Sequence, residues 1–548
     1  MNTNHFEFWP SSLSKSLTVP QTTIYDNLVI SAKRYPDKTS IYYYGKSITY
    51  KQLLEEVEIL AGYLEKSLGI EKQDRILLLM QNSPQYLISF FAILRLRAIV
   101  IPINPMSTTK DIAFYVNDCE IKHALVGQEL YDKVKPLKKD TTLKNIIVAT
   151  YSEYIDKNKV TNNFPTEVIE KPQPLSEDIS WSNALSEAYQ ADYYNGLNDD
   201  IAVIPYTSGT TGIPKGCVHP NNTLQANTVG GALWLNVTAD TVTLLTLPLF
   251  HVTGLIHSAL APILSGSTIV MMTRWDRDYA AEMMEEYGCS HWINISTMLI
   301  DFLSNPKLDN YDLSSLRTIG GGGAPLPAAV GEQLYERIGL RYIEGYGLSE
   351  TISHTHFNPP NRPKLQCLGI PSFDVDARII DLVTGNELGI NEEGELIVNG
   401  PQVFSGYYNR DEENKESHVE LDGKLFFRTG DIAKMDEEGY FFLVDRLKRM
   451  INASGFKVWP TEIESILYKH PAVQQACVVS APDVKRGETV KAFIILKDDF
   501  IGKITENEIM EWSRNQIAAY KYPRIIEFTK TFPTTTSGKI LWRKLQNS

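Results

Sequence analysis

Tyr206-Thr-Ser-Gly-Thr-Thr-Gly-Ile-Pro-Lys-Gly216 packs four Ser/Thr hydroxyls, three glycines and one lysine into eleven residues. It follows the short apolar run 201–205, which reads as a buried strand emptying into a loop. Thr207, Ser208, Thr210 and Thr211 supply hydroxyls, and Gly209 and Gly212 let backbone N–H groups approach an anion closely. Lys215 adds a compact positive charge suited to phosphate. The stretch is not a Walker A loop, which needs Gly-Lys-Ser/Thr at its end; here Lys215 lies between Pro214 and Gly216. A strand that ends in an anion-binding loop sets the expectation of layered α/β structure.

Outward from that loop, apolar runs alternate with amphipathic stretches. Helices are expected near 24–32 and over 50–67, a hairpin over 40–49, and a strand over 75–80. The most apolar window, 86–103, is broken by Arg95 and Arg97, and reads as a helix opened by Ser83 and Pro84 that runs into the strand 98–103. The segment 151–192 is polar and weakly periodic, and reads as loop.

Downstream, Thr318-Ile-Gly-Gly-Gly-Gly-Ala-Pro-Leu-Pro327 reads as a strand ending in Gly320–Gly323, where backbone without side chains admits a flat ligand, with a helix from about Pro327. In Tyr342-Ile-Glu-Gly-Tyr-Gly-Leu-Ser-Glu-Thr351, Tyr346 can stack on a purine and Glu350 offers the hard oxygens that Mg2+ prefers, although a tyrosine and a glutamate in a loop are, by themselves, ordinary surface residues. Thr429-Gly-Asp431 follows the expected strand 424–428; a carboxylate there can accept the hydroxyls of a ribose or be an ordinary turn aspartate. His251, in Leu247-Pro-Leu-Phe-His-Val-Thr-Gly-Leu255, has no metal-ligand spacing with His257, and His354 with His356 has none either, so no zinc site is expected.

A boundary is expected at Asp445-Arg-Leu-Lys-Arg-Met-Ile451. Upstream lies a hairpin turning at Asp436-Glu-Glu-Gly439. Downstream, Thr461 and Glu464 form a capping-box pattern, strands follow over 475–480 and 490–496, a helix over 505–519 carries its own Thr505/Glu508 box, and a strand closes the set over 525–529. Near the end, Ser537-Gly-Lys539 puts a lysine on a loop.

The gross numbers bound the reading. A chain of 548 residues exceeds one hydrophobic core and implies at least two domains. A formal net charge of −13 argues against a general nucleic-acid-binding role. The five cysteines are far apart, which suits a reducing, cytoplasmic setting; no signal peptide or transmembrane segment is expected.

Taken in order along nearly the whole chain, these motifs resemble those of the AMP-forming acyl- and aryl-CoA synthetases, adenylation domains and beetle luciferases. The resemblance implies an α/β fold with a large multi-subdomain N-terminal α/β domain, residues 1–445, and a small mobile α+β C-terminal domain, 446–548, hinged at 445–449 about Lys448. It implies ATP/AMP contacts from Thr207, Ser208, Gly209, Thr210, Thr211, Gly212 and Lys215; from Gly322, Gly323 and Ala324; from Glu344, Gly345, Tyr346, Gly347 and Ser349; and from Asp431, Arg446 and Lys539. The catalytic groups would be Lys539, Glu350 and Lys215, with Thr207 and Glu350 facing Mg2+. Gly321, Trp234 and His251 would line the acyl pocket, and Ser454, Gly455 and Lys457 would serve the CoA step. Two departures stand out: Ser349 replaces the commoner threonine, and Asn452 and Ser454 stand where many such ligases carry lysines.

The implied activity is carboxylate + ATP + CoA → acyl-CoA + AMP + pyrophosphate. Phe8-Trp-Pro10 resembles the opening of bacterial fatty-acid ligases and favours a medium- or long-chain acid, with an aryl acid second. Other readings are an adenylation enzyme that loads a separate acyl carrier protein, a light-producing oxidative relative, and a non-catalytic nucleotide-binding module; that last would lack Lys539, Glu350 or the Thr/Gly loop. Peripheral membrane contact and oligomeric state stay open, with a homodimer compatible.

Overall fold

Capping residues start the first helices where their hydroxyls can meet exposed backbone donors. The computed structural model of the chain describes residues 3–175, 177–207, 213–453, 456–483, 486–534 and 540–546. In it Thr23 opens the helix Ile24–Arg34, and Thr49 opens Tyr50–Lys66, each through a reciprocal box with the residue three further on. The Ser83 hydroxyl accepts the Tyr86 amide at 3.2 Å, and Pro84 takes the first position of Pro84–Arg95, where its missing N–H costs nothing.

All residues of Pro84–Arg95 are buried, because other elements of the core cover it on every side. Arg95 is tolerated there because its Nε lies 3.0 Å from the Glu58 carboxylate. That pair explains how a helix apolar enough to resemble a membrane span belongs to a core. No helix among the described residues is long and apolar enough to cross a membrane.

Two compact units divide the chain, 3–376 with 399–425, and 377–398 with 426–548. Among the described residues the larger carries two extended sheets and one two-stranded ribbon. In one, Ile201–Val203, Ile99–Pro102, Arg75–Leu79, His123–Gly127, Asn145–Ala149 and Ile179–Ser180 run parallel, with His219–Pro220 antiparallel at the edge. The other has nine strands. Its parallel centre is Ile343–Leu348, Thr318–Gly322, His291–Asn294, Val242–Leu245 and Thr268–Met271. Parallel sheets buried on both faces need near-continuous apolar strands, and Arg75–Leu79 and Thr268–Met271 have them.

The smaller unit contains most of the antiparallel set Gly394–Asn399, Lys424–Met435 and Phe441–Arg446. It also contains a sheet in which Gly487–Leu496 pairs with Val473–Asp483, Ile451–Ala453 and Ile525–Phe528. The layered α/β expectation holds. The expected boundary at 445/446 falls inside this smaller unit, which takes in the hairpin upstream of Asp445.

Four local expectations need correction. Residues 151–192 are not simple loop, since the short helix Trp181–Ser186 buries Trp181 against the core. Thr429-Gly-Asp431 does not end a strand but lies inside Lys424–Met435. Helix Pro460–Leu467 has no Thr461/Glu464 box: Glu464 instead pairs with Arg449, and Asp445 Oδ2 accepts the Thr461 amide at 2.8 Å. The Thr505/Glu508 box does form, but its helix stops at Arg514.

Candidate active site

Tyr206–Thr207 and Lys215–Gly216 pair antiparallel, Thr207 opposite Lys215, which closes the base of the hydroxyl-rich loop. Ser208, Gly209, Thr210, Thr211 and Gly212 lie outside the described residues. The base is anchored by Tyr206, whose hydroxyl donates to Asp118 at 2.6 Å while Asp118 holds Arg410 at 2.6 Å.

Lys215 is largely enclosed. Its ammonium lies 3.8 Å from Glu413 and 5.0 Å from the centre of the Tyr407 ring. The Tyr407 hydroxyl donates to Glu350 Oε1 at 2.8 Å. Burial, then the charge of Glu350, pushes that phenol's ionisation far up, so it remains a donor. One ring thus touches both the loop lysine and the candidate metal carboxylate.

Glu350 sits in the turn Ser349–Thr351, which follows the strand Ile343–Leu348. Ile352 has φ 46° and Ser353 φ 130°, and a β-branched residue in the left-handed region costs about 1–2 kcal/mol. Gly347 is required here: a Cβ would lie 1.6 Å from the Ser353 carbonyl oxygen. Glu344, six residues earlier, is equally buried but differently used. Its carboxylate accepts the amides of Gln366 at 2.9 Å and Leu326 at 3.3 Å, and burial pushes it up to about 7. Tyr346 is enclosed, its ring centre 5.7 Å from that of His356.

The glycine-rich strand Thr318–Gly322 lies between His291–Asn294 and Ile343–Leu348, with Gly322 opposite Gly345. A Cβ on Gly321 would sit 1.8 Å from the Asn294 carbonyl oxygen, so Gly321 serves close strand approach. Gly323 and Ala324 continue from this strand's end. Trp234 is buried, donates through Nε1 to Asn358 at 3.0 Å, and meets Trp9 edge-on at 4.8 Å. His251 is exposed and precedes the π-helical turn Gly254–Leu260. That turn carries His257, which lies 3.1 Å from the Ser353 hydroxyl.

In the smaller unit, Asp431 and Arg446 occupy opposite positions of one hairpin, Oδ1 to Nε 3.0 Å. Lys448 lies in the 3-10 turn Leu447–Arg449, and Lys457 on the strand Phe456–Val458. Ser454, Gly455 and Lys539 lie outside the described residues.

Three site neighbours escaped the reading of the sequence. His219, on the edge strand His219–Pro220, places Nε2 2.7 Å from the Ser349 carbonyl; Asn227 donates to the Thr351 carbonyl at 2.8 Å; and Tyr407 bridges Lys215 and Glu350. His219 was within reach, being four residues past Lys215 and directly after the apolar pair Cys217-Val218. Tyr407 carried no signal, because nothing in 404–408 announces its pairing with Cys217.

The AMP-binding enzyme model matches residues 28–408, and the AMP-binding enzyme C-terminal domain model matches 462–539. A long-chain-fatty-acid–CoA ligase of Bacillus subtilis (strain 168) is 34% identical, covering 98% of this chain and 96% of its own. A feruloyl-CoA synthase of Amycolatopsis sp is 31% identical over 93% of this chain and 96% of its own. An anthranilate–CoA ligase solved with anthranoyl-AMP superposes with a TM-score of 0.82 at 25% identity, over 97% of this chain and 98% of its own. With both its large and its C-terminal regions matched, the chain belongs to the AMP-binding enzyme family, as an AMP-forming acyl-CoA synthetase.

Proposed function

We propose that this chain activates a medium- or long-chain fatty acid with ATP and passes the acyl group to CoA. A carboxylate oxygen of the acid attacks the α-phosphorus, and the bond to the bridging oxygen breaks to release pyrophosphate. The CoA sulfur then attacks the acyl carbon, AMP leaves, and the thiol proton goes to solvent. The observation that carries the reading is the meeting of Lys215 and Glu350 on one tyrosine, because it sets a phosphate-binding cation beside a hard-oxygen carboxylate. The fatty-acid ligase relative supports the choice of acid. The feruloyl-CoA relative keeps an aryl acid as the second reading.

The donor set suits Mg2+. Among the described residues no group of three or more His, Cys, Asp and Glu side chains forms a metal cage, and Mg2+ beside phosphates uses one or two carboxylates with the phosphates themselves. Glu350 and the Thr207 hydroxyl would hold it, where it would neutralise charge on the phosphate oxygens. The loop 207–215 binds the pyrophosphate portion; Gly322, Gly323, Ala324 and the 344–349 strand flank the adenine, and Asp431 with Arg446 holds the ribose. Gly321, Trp234 and His251 line the acyl pocket. Lys539 stabilises the charge that develops in the first step. The domain 446–548 turns about Lys448 so that Ser454, Gly455 and Lys457 serve the second, in the cytoplasm.

Lys539→Ala tests this directly. Adenylation, read as pyrophosphate exchange, should fall by roughly 10²–10³, whereas thioester formation from supplied acyl-AMP and CoA should stay near the parent rate. Equal loss in both half-reactions would sink the two-orientation account. A panel of acids followed by AMP release, with CoA or a carrier protein as acceptor, separates fatty from aryl acids and CoA from a carrier.

A further inference from the structure

The turn that carries Glu350 is strained, and its backbone is held from outside. Ile352 and Ser353 are both left-handed, a pair that L residues keep only where surrounding groups over-determine it. The carbonyl of Glu350 accepts the Phe404 amide at 2.9 Å, that of Thr351 accepts Asn227 Nδ2 at 2.8 Å, and that of Ser353 accepts the Thr351 hydroxyl at 2.7 Å. The carbonyl of Ser349, immediately before the carboxylate, is held at 2.7 Å by His219 Nε2. A carbonyl oxygen only accepts, so Nε2 carries the proton and Nδ1 is the acceptor that faces the Thr223 hydroxyl at 3.1 Å.

The position of His219 gives this bond its consequence. It lies four residues past Lys215 on the chain that leaves the phosphate loop. Its side chain is fully buried. Its strand, His219–Pro220, pairs with Ile201–Val203, so a displacement of the chain on either side of the loop reaches the Ser349 carbonyl through one rigid ring. We propose that His219 is a positioning residue for the first half-reaction: it locks the Glu350 turn to the edge strand His219–Pro220, four residues past Lys215, so that the Glu350 carboxylate and the Lys215 ammonium meet Mg2+–ATP at a fixed separation. The inference rests on the reading of Glu350 as the metal-facing carboxylate.

The test uses the full chain with His219→Gln, which keeps a side-chain N–H able to reach Ser349, and His219→Leu, which fills the space without a donor. Calorimetry measures the gain in ATP affinity on adding Mg2+, and the two half-reactions are measured separately. His219→Leu should lose roughly tenfold or more of that gain, and of the pyrophosphate-exchange rate, the scale of one hydrogen bond to a strained turn. His219→Gln should recover most of both. Thioester formation from supplied acyl-AMP should stay within about twofold of the parent in both variants, since Mg2+ and pyrophosphate take no part in it.

The proposal is overturned if His219→Leu keeps the Mg2+ gain, or if both half-reactions fall together and His219→Gln restores neither. Should His219→Leu fail to fold, His219→Asn replaces it, its amide being one methylene too short to reach Ser349. Glu350→Gln run alongside separates the two readings. If it abolishes the Mg2+ gain while His219→Leu keeps it, only the positioning role falls. If neither substitution moves the gain, the reading of Glu350 falls and the positioning role with it.

Discussion

The turn around Glu350 and the hairpin around Asp431 each present a buried carboxylate, and they are built in opposite ways. Asp431 faces Arg446 because the two are partners in the register of one hairpin, fifteen residues apart in sequence. Glu350 is held by His219, Asn227, Phe404 and Tyr407, which come from two stretches of chain far from it in sequence, 219–227 and 404–407. A carboxylate placed by hairpin register tolerates change elsewhere as long as the two strands pair. One placed by converging side chains is only as well aimed as its most weakly held neighbour, and here its backbone also carries two left-handed residues. The difference predicts which perturbations stay local and which spread.

Acid should expose the contrast most. Close to the Glu350 turn lie His257, His354 and His356, all buried and neutral. Burial pushes His257 down to about 4 and His356 to about 3, and holds His354 well below its ordinary range. The smaller unit has His470 alone. With folded values below the unfolded 6.5, the contribution to stability is complete above that pH and is lost as pH falls toward about 4. Each histidine costs about 1.4 kcal/mol per pH unit across that window. Calorimetric unfolding between about pH 7.5 and about pH 5 should show the larger unit losing several kcal/mol; equal loss by both units would remove the contrast.

Asp431→Ala comes next. Two charge-assisted bonds to a ribose, roughly 1.5–3 kcal/mol each, would be lost, so AMP and acyl-AMP affinities should fall together, with or without Mg2+. A calorimetric titration with unchanged AMP affinity rules out the ribose role. Glu350→Gln should behave differently, lowering pyrophosphate exchange on the order of a hundredfold while ATP binding without Mg2+ holds. A uniform loss of nucleotide affinity in that variant would make the two carboxylates alike and erase the distinction.

The same contrast explains what could be read from the amino-acid sequence. The helices opened by Thr23, Thr49 and Ser83, and the hairpin that turns at Gly439, follow from chemistry within a few residues, and they form as expected. The loop glycines and Lys215 could be singled out because anion chemistry restricts residue type, whereas Glu350 and Asp431 stood out only through the family resemblance of their motifs. Partner choice could not be read. Glu464 looked like a helix cap, yet the buried guanidinium of Arg449 takes it, since an unpaired charge there would cost more than an uncapped helix end. Trp181 gave no periodic signal, because its helix is a single short turn and a half whose burial depends on Tyr154 and the core behind it. Tyr407 was invisible for the same reason, its role arising only when 404–408 is laid beside 216–218.

Tyr407→Phe is the smallest and the most discriminating of these changes. The ring stays, so the face beneath the Lys215 ammonium at 5.0 Å is preserved, and only the hydroxyl that meets Glu350 Oε1 is lost. In the free enzyme that bond satisfies one carboxylate oxygen in a site with little access to water. A hydrogen bond to a charged acceptor contributes roughly 1.5–3 kcal/mol, but here the effect on activity should be smaller. On the proposed role of Glu350, Mg2+ would compete for the same carboxylate, so losing the phenol would both loosen Glu350 and free an oxygen for the metal. The net expectation is about a three- to tenfold rise in the Mg2+ concentration needed for half-maximal pyrophosphate exchange, with the rate at saturating Mg2+ almost unchanged and thioester formation untouched. If instead the saturating rate falls with no shift in Mg2+ demand, Tyr407 acts on the reacting phosphate rather than on Glu350. If Mg2+ demand falls, the phenol restrains the carboxylate from the metal. Either result would recast the Glu350 turn as a site whose aim depends less on its neighbours than the Asp431 hairpin depends on its register.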